Sequence, residues 1–485
     1  MELHERVFEI ALSRLIFYPS NEIYGSIAGF YEYGPIGVLI KRNIISLWRK
    51  LFIESENAYE IETAIVTPSI VLEASGHVSE FTDPVAECSK CGYKTRADKL
   101  AEEQIDGFLW NGNINELKAV RKRLKCPKCM AEIKDIYTIN LMFPTFIGYD
   151  GTKAFLRPET AQGMFTSFPR FYKIAGKLPF AIAQVGKSFR NEISPRKGLI
   201  RLREFHQMEF EYFFNPSFDR HNAFNDIKHV SFNFKHRGED RIVKENAQSL
   251  VEKGICSEIF AYYLAKQWLF FSNVGIKDMW FRHLEKFETP HYSKGNIDLE
   301  VKTSYGIIEI AGNAYRTDYD LSKHMQYSKQ DLTVVEEGKA FTPHVFEMSI
   351  GLERTLFCIL EHCFVEKGQK EWAWFKFPSS IAPYKAAVFP LVQNNEGIVN
   401  LSRALKQEFE DSGISVFYLE KGSIGKRYAK ADEIGIPYAI TIDHESLEDK
   451  MATIRFRDTG KQIRVSLTDL RKNIYEFLKE DRQDI

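Results

Sequence analysis

The chain is 485 residues long, 44% apolar and 27% charged, and its 65 basic and 66 acidic side chains leave a formal net charge of −1. That length predicts two or three domains with enough apolar content for a core, and the balanced charge excludes a nucleic-acid partner gripped by overall charge, though not one met by a local basic patch. The charged start MELHERVFEI has no apolar signal core and no apolar run approaches the ~20 residues that cross a bilayer, so a cytosolic protein is expected.

Taken in chain order, VLIKRNIISLWRKLFIESE (38–56) repeats apolar residues at helical spacing and predicts a long amphipathic helix. YEIETAIVTPSIV (59–71) predicts a strand ending at Pro68, which cannot donate to a sheet ladder. Two Cys-x-x-Cys pairs follow, Cys88 with Cys91 and Cys126 with Cys129. In a reducing compartment two such pairs suggest zinc held by four thiolates, with a redox pair or a metal-free relic as alternatives. The 34 residues between the pairs exceed the commonest spacing, so an insertion is expected over about 85–135. Cys256, Cys358 and Cys363 have no such spacing and read as small core residues. DIYTINLMFPTFIG (135–148) returns to strand.

LPFAIAQVGKSFRNE (178–192) and GLIRLREFHQMEFEYFF (198–214) predict two strands joined by the Pro-Arg-Lys-Gly turn at 195–198. The stretch from 215 to about 290 is mixed and charged, with helical SEIFAYYLAKQWLFF (257–271), and its pattern indicates no function. YGIIEIAG (305–312) and HVFEMSIG (344–351) are strand-like, and LERTLFCILEHCF (352–364) is an apolar helix. A boundary falls near 380, beyond which strand and helix patterns alternate as in a small, separate α/β domain over 381–485.

The run FRNEISPRKGLIRLREF (189–205) holds four arginines and a lysine between two phenylalanines. A solvated hairpin is one reading and an anion site the other. Strand alternation puts Arg201, Arg203, Phe205, Gln207, Glu209 and Glu211 on one side, and Leu202, Glu204, His206, Met208, Phe210 and Tyr212 on the other. Arg190 and Glu192 sit together on the first arm. Guanidinium forks match phosphate oxygens and a ring can stack on a base, which favours a nucleotide cradle. Glu347, Ser349 and Gly351 share another strand face, with Arg354 at the start of the next helix, and Gly351 permits close approach. Glu309 is a lone acid in an apolar strand, a costly burial unless a metal ion or an arginine meets it. For Glu159, Glu209, Glu309 and Glu347 the plain alternative is an internal salt bridge.

Helix-strand-Pro, then F-R-x-E with R-x-x-x-F after a loop, then G-L-E-R opening a helix, resemble in order the three signature motifs of class II aminoacyl-tRNA synthetases. Within that class, FYPSNEIYGSIAGFYEYGPIGVLIKRNI, VLEASGHVSEFTDP, RPETAQGMF, FRNEISPRKGLIRLREF and RTDYDLSKH look like glycyl-tRNA synthetases of the dimeric archaeal and eukaryotic type. GSIGKRYAKADEIGIPYAITID is similar to that family's anticodon-binding domain. The resemblance implies an α+β catalytic domain on an antiparallel sheet over 1–380, a zinc-binding insertion, a second insertion at about 215–290, and a small α/β anticodon-binding domain over 381–485. Two departures stand beside expected pocket residues: Met348 where the family commonly has proline, and Asn313 inside AGNAYR.

The implied activity is glycine–tRNA ligation, in which ATP activates glycine to glycyl-adenylate and glycine then passes to the 3′ end of tRNA-Gly, in a cytoplasmic homodimer that uses magnesium with ATP. By the same resemblance Arg190 and Arg354 are the catalytic pair. The ATP site comprises Arg190, Asn191, Glu192, Ile200, Arg201, Leu202, Arg203, Glu204, Phe205, Glu309, Ile310, Gly351, Leu352, Glu353 and Arg354. In it Phe205 and Arg354 sandwich adenine, Glu192 accepts from its amine, Arg201 and Arg354 reach the γ-phosphate, and Glu309 works through magnesium. The glycine site comprises Arg96, Glu159, Phe205, Gln207, Glu209, Glu347, Ser349 and Gly351, with Arg96 as a mobile substrate-side arginine. Lys421, Lys426, Arg427 and Lys430 form a basic cluster for tRNA phosphates or a solvated helix face. Two rival readings share the fold. One is a non-catalytic homologue such as a mitochondrial polymerase accessory subunit, disfavoured by the intact Arg190, Arg354 and RPETAQG. The other is a class II synthetase for proline, threonine or serine, disfavoured by the glycyl-like N-terminal stretch.

Overall fold

The computed structural model describes residues 2–195, 198–290, 292–368 and 370–480. Among the described residues the largest sheet has nine strands: β1 (Tyr59–Glu60), β2 (Phe180–Phe189), β3 (Glu204–Phe214), β4 (Ser231–Lys235), β5 (Ile242–Asn246), β6 (Met279–His283), β7 (Ile297–Thr303), β8 (Gly306–Thr317) and β9 (His344–Gly351). They lie in the order β5-β4-β6-β7-β8-β9-β3-β2-β1, antiparallel except for the β1–β2 and β4–β6 pairs. The segment at 215–290, whose pattern indicated no function, thus supplies three strands of this sheet.

Five helices shape the site: α1 (Pro35–Arg49), α2 (Ala161–Ala175), α3 (Glu258–Asn273), α4 (Tyr319–Ser328) and α5 (Leu352–His362). Pro35 starts α1 at a position where no N–H is needed, and Ile36, Ile40, Ile44 and Trp48 recur on its buried stripe. Over its central strands one face of the sheet is packed against helices. Met208 and Phe210 of β3 and Phe346, Met348 and Ile350 of β9 join one core with α1 and α3, where Tyr263 stacks on Phe346 at 5.0 Å. The other face is divided. Phe165 and Phe168 of α2 cover Ile182, Phe213 and Val345, and the remainder of that face is left free to line a cavity.

The strand expected over 59–68 is two short strands in different sheets, since Val66–Pro68 pairs with Thr152–Leu156 instead. Between them side chains replace the ladder: Gln184 accepts from the Thr63 N–H at 2.9 Å, and Arg157 donates to the Thr63 carbonyl at 2.9 Å. The two strands expected over 178–192 and 198–214 are shorter than their pattern suggests. They stop at Phe189 and resume at Glu204, with a short 3-10 turn at Gly198–Ile200. Of the expected Pro-Arg-Lys-Gly turn, Arg196 and Lys197 lie outside the described residues. The cysteine-bearing insertion folds on its own small core beneath a sheet of Thr82–Cys88, Lys94–Arg96 and Ile133–Asn140.

Near the C-terminus a second sheet runs Val416–Tyr418, Ala386–Pro390, Tyr438–Ile442, Met451–Phe456, Gln462–Ser466, its first three strands parallel and the last two antiparallel. One member of the expected basic cluster is withdrawn from any phosphate: Arg427 is 2% exposed and donates to the carbonyls of Pro390, Leu391 and Leu419. Lys421, Lys426 and Lys430 remain exposed.

Candidate functional site

The open part of the divided face, together with the loop before β3 and the start of α5, encloses a cavity of about 340 Å³. Phe205, Gln207 and Glu209 project into it from β3, Glu347, Ser349 and Gly351 from β9, and Glu309, Gly312 and Ala314 from β8. Strand register makes this possible, since Gln207 faces Gly351 and Glu209 faces Ser349 across the β3–β9 ladder. At Gly351 an added Cβ would meet nothing nearer than Arg354 Cδ at 3.6 Å, so the space beside it belongs to the cavity.

One end of the cavity is cationic and half-exposed. Arg190 donates to the Pro158 carbonyl at 3.2 Å and lies 5.3 Å from the ring centres of Phe205 and Phe81. Arg354 is held by the carbonyls of Ile200 (3.1 Å) and Glu309 (2.8 Å). Arg201 approaches Glu192 at 3.7 Å, a distance that leaves its guanidinium largely uncommitted. Glu309 is half-exposed rather than buried in its strand, so the expected burial cost does not arise, and Arg354 is the cation near it at 3.8 Å. Asp298, on the neighbouring β7, lines the cavity beside it, and burial followed by the Glu309 charge raises its carboxyl well above the usual range. Asp298 and Glu309 both line the cavity, and their carboxylate oxygens suit a hard divalent ion, which takes oxygen ligands.

The other end is acidic and buried. Glu209 accepts from the Thr160 N–H (2.9 Å) and hydroxyl, from Gln207 (2.7 Å) and from Ser349 (2.9 Å). Glu347 accepts from Arg316 at 2.7 Å. Arg316 also forks onto Asp320 at 2.6 and 2.9 Å and lies 4.0 Å from the Tyr292 ring centre. Glu159 meets His77 at 3.4 Å, Arg316 at 4.0 Å and Gln162 at 2.9 Å. Burial raises Glu347 to about 7, with Arg316 opposing and Glu159 and Glu209 adding to the rise. Burial and the Glu159 charge likewise raise Glu209. Burial works against ionised Glu159 too, but His77 and Arg316 outweigh it and hold that carboxyl low. The carboxamide oxygen of Gln207 is buried with no partner among the described residues, and so is that of Asn296, which also lines the cavity. Both oxygens can accept from a donor that enters the cavity.

Most of the expected site residues meet here: Arg190, Glu192, Ile200, Arg201, Leu202, Phe205, Glu309, Ile310, Gly351, Glu353, Arg354, Glu159, Gln207, Glu209, Glu347 and Ser349 line the one cavity. Five do not. Leu352 is buried in the core, and Glu204 pairs with Lys187 on the far side of the sheet. Arg203 clasps the carbonyls of Ala28 and Glu192, while Asn191 is exposed and donates its N–H to Leu141. Arg96 forks onto Asp98 at 3.0 and 2.7 Å and reaches Asp83 at 3.1 Å. Met348 and Asn313 alternate with the cavity-facing residues and point into the core, so neither shapes the pocket. Sequence reasoning missed Arg316, Asp320, His77 and Asp298. Arg316 and Asp320 stand together in RTDYD, at the end of β8 and the start of α4, and that short charged stretch is the signal that could have revealed the pair.

Away from the cavity, the sulfur atoms of Cys88, Cys91, Cys126 and Cys129 lie within 4.8 Å of one another. Cys88–Cys129, Cys91–Cys129 and Cys91–Cys126 are 3.5, 3.5 and 3.7 Å apart, near the ~3.8 Å edge of a tetrahedron with 2.3 Å zinc–sulfur bonds. The backbone N–H of Cys91 is first among the influences that lower the Cys88 thiol to about 6. For Cys91 the Tyr93 backbone N–H is outweighed by burial and the neighbouring thiols, which push it up to about 12. Four crowded sulfurs at these separations suit a metal ion, whose charge would let them ionise together.

Residues 146–363 match the tRNA synthetase class II core domain (G, H, P, S and T), and residues 385–477 match the anticodon binding domain. The chain is 37% identical to the glycine–tRNA ligase of Aeropyrum pernix over 98% of this chain and 97% of that one. It is 37% identical to that of Pyrococcus horikoshii (98% of each) and 36% identical to that of Methanocaldococcus jannaschii (99% and 100%). A solved structure of prolyl-tRNA synthetase from Cryptosporidium parvum superposes with a TM-score of 0.61 at 12% identity, over 98% of this chain and 77% of that one, a likeness of fold.

Proposed function

The chain belongs to the glycine–tRNA ligase family of class II synthetases, and from that membership we propose that the arginine-lined end of its cavity takes ATP and the acid-lined end takes glycine. The observation that carries this reading is the presence in one cavity of Arg190, Arg201 and Arg354 with Glu159, Glu209 and Glu347. A glycine carboxylate oxygen attacks the α-phosphorus, the bond to pyrophosphate breaks, and glycyl-adenylate forms. The terminal 3′-hydroxyl of tRNA then attacks the glycyl carbonyl and AMP leaves. The first step needs alignment and charge neutralisation more than covalent help.

Arg190 bridges the α-phosphate and the glycine carboxylate. Phe205 and Arg354 hold adenine between them, Glu192 accepts from its amine, and Arg201 and Arg354 meet the terminal phosphates. Glu309 with Asp298 would hold magnesium, whose charge offsets that of the phosphates. Glu159, Glu209 and Glu347, with Gln207 and Ser349, surround the ammonium and leave little room for a β-carbon. Selection by size alone gains only about 1–3 kcal/mol per methylene, so a packed polar ring suits the smallest amino acid. Arg96 would reach substrate after leaving Asp83 and Asp98. The four thiolates would hold a structural zinc ion, residues 1–380 form the catalytic unit and 381–485 the anticodon-binding unit, and the enzyme works as a cytoplasmic homodimer. No described helix is long and apolar enough to cross a membrane.

Pyrophosphate exchange across a panel of amino acids tests the assignment. Exchange should depend on glycine, and an equal response to proline, threonine or serine would overturn it.

A further inference from the structure

The acid wall has a second layer that does not line the cavity. Glu211 lies two residues beyond Glu209 on β3, opposite Glu347 on β9 and Ile182 on β2. Its side chain is fully buried, and neither carboxyl oxygen has a partner among the described residues. The nearby guanidinium of Arg316 is committed to Glu347 and Asp320 and donates nothing to Glu211. The charged groups that act on Glu211 are Glu347, Arg316, Glu209 and Asp320, three acids and one cation. Two buried carboxylates directly opposite each other cannot both ionise cheaply. Burial and Glu347 raise Glu211 well above the carboxylate range, and Arg316 opposes the rise at both acids. Its guanidinium donates a hydrogen bond to Glu347 alone of the two, so Glu347 is the acid that gives up a proton first.

We infer that this wall exchanges a proton for an ammonium group: Glu347 releases its proton when the substrate amine arrives, while Glu211 behind it stays protonated and leaves Arg316 to Glu347 and Asp320. The inference rests on the reading above that glycine's amine lies among Glu159, Glu209 and Glu347. In the exchange the O–H bond of Glu347 breaks, its proton passes to the buffer, and an ammonium N–H takes its place against the carboxylate. Glu211 touches no reacting atom and is a positioning residue.

Calorimetric titration of glycine into the full-length enzyme at pH 7, in phosphate and in Tris, counts the protons released, because these buffers differ in ionisation enthalpy. Wild type should release a measurable fraction of a proton. E211Q, an uncharged mimic of the protonated acid, should release the same fraction with its glycine KM within about threefold and its ATP KM unchanged. E347Q should release none. Identical heats in the two buffers for wild type would overturn the exchange. A glycine KM raised tenfold or more in E211Q, with ATP KM unmoved, would show that Glu211 must be charged and would overturn its role. If E347Q left the glycine KM untouched, the assignment of the amine end would fail instead. Should E211Q not fold, infrared spectra of the wild type in D2O serve: a carboxylic-acid band at pH 7 that persists at saturating glycine supports a retained proton, and its absence rejects one.

Discussion

The two ends of the cavity are built on opposite plans. At the proposed ATP end, arginines hang from backbone carbonyls and keep partly free guanidinium groups facing solvent. At the glycine end, acids are buried among their own kind, tied to hydroxyl, amide and one shared guanidinium. A half-exposed cation is nearly at home before its anion arrives, because water screens it. A buried acid cluster stays incomplete until a cation enters. The first plan suits a large anion that brings its own metal ion, and the second suits a small ammonium.

The sharpest way to break this comparison is at the partly exposed guanidinium groups. Arg354→Ala should lower the rate of pyrophosphate exchange by about 10²–10³, the usual loss when one donor to developing charge is removed. The glycine KM should move far less, and a loss confined to glycine KM would erase the distinction between the ends. Next in size, Glu347→Gln should raise the glycine KM about tenfold or more, by removing a charged hydrogen bond worth about 1.5–3 kcal/mol. Equal losses for glycine and ATP would deny that the ends are separate.

The comparison also has a pH signature. Burial raises the Glu347 carboxyl to about 7, and in the proposed site it binds ammonium as the anion, so glycine affinity should weaken as pH falls from 8 to 6. The change should be no more than tenfold per pH unit, with ATP KM nearly level. A flat glycine profile would remove Glu347 as the group responsible. A smaller effect is expected outside the cavity. Cys126→Ser should lose bound zinc, measured by metal analysis, and lower the melting temperature, because a structural site contributes folding energy. Unchanged metal content would reject the four-thiolate site. The smallest effect belongs to Met348→Leu, a volume-conserving core change that should cost under about 1.5 kcal/mol and leave both KM values alone. A shifted glycine KM would mean that Met348 shapes the pocket after all.

Much of the site was legible in the chain, because strand alternation is strict. Glu347, Ser349 and Gly351 share a face by period alone, and so do Phe205, Gln207 and Glu209. The errors lie where that period stops. Arg201 and Arg203 precede β3 in an irregular loop, so one turns toward the cavity and the other clasps the carbonyls of Ala28 and Glu192. Arg427 matched a basic cluster in sequence, but its helix points it inward to three carbonyls. Asp298 carried no recognisable local pattern of function, and Arg316 and His77 lie in RTDYDLSKH and VLEASGHVSEFTDP, stretches that resembled the family without marking which of their residues face the site.

What the sequence settled by itself is the alternation within each strand, the Cys-x-x-Cys spacing, and the order of the three motifs, all of which are local. Which acids share one guanidinium was decided only when distant strands came into register, and which of two arginines two residues apart faces the cavity was decided by the contacts of the irregular loop that carries them. Electrostatic interactions depend on distance and burial, and neither quantity exists until the sheet has formed.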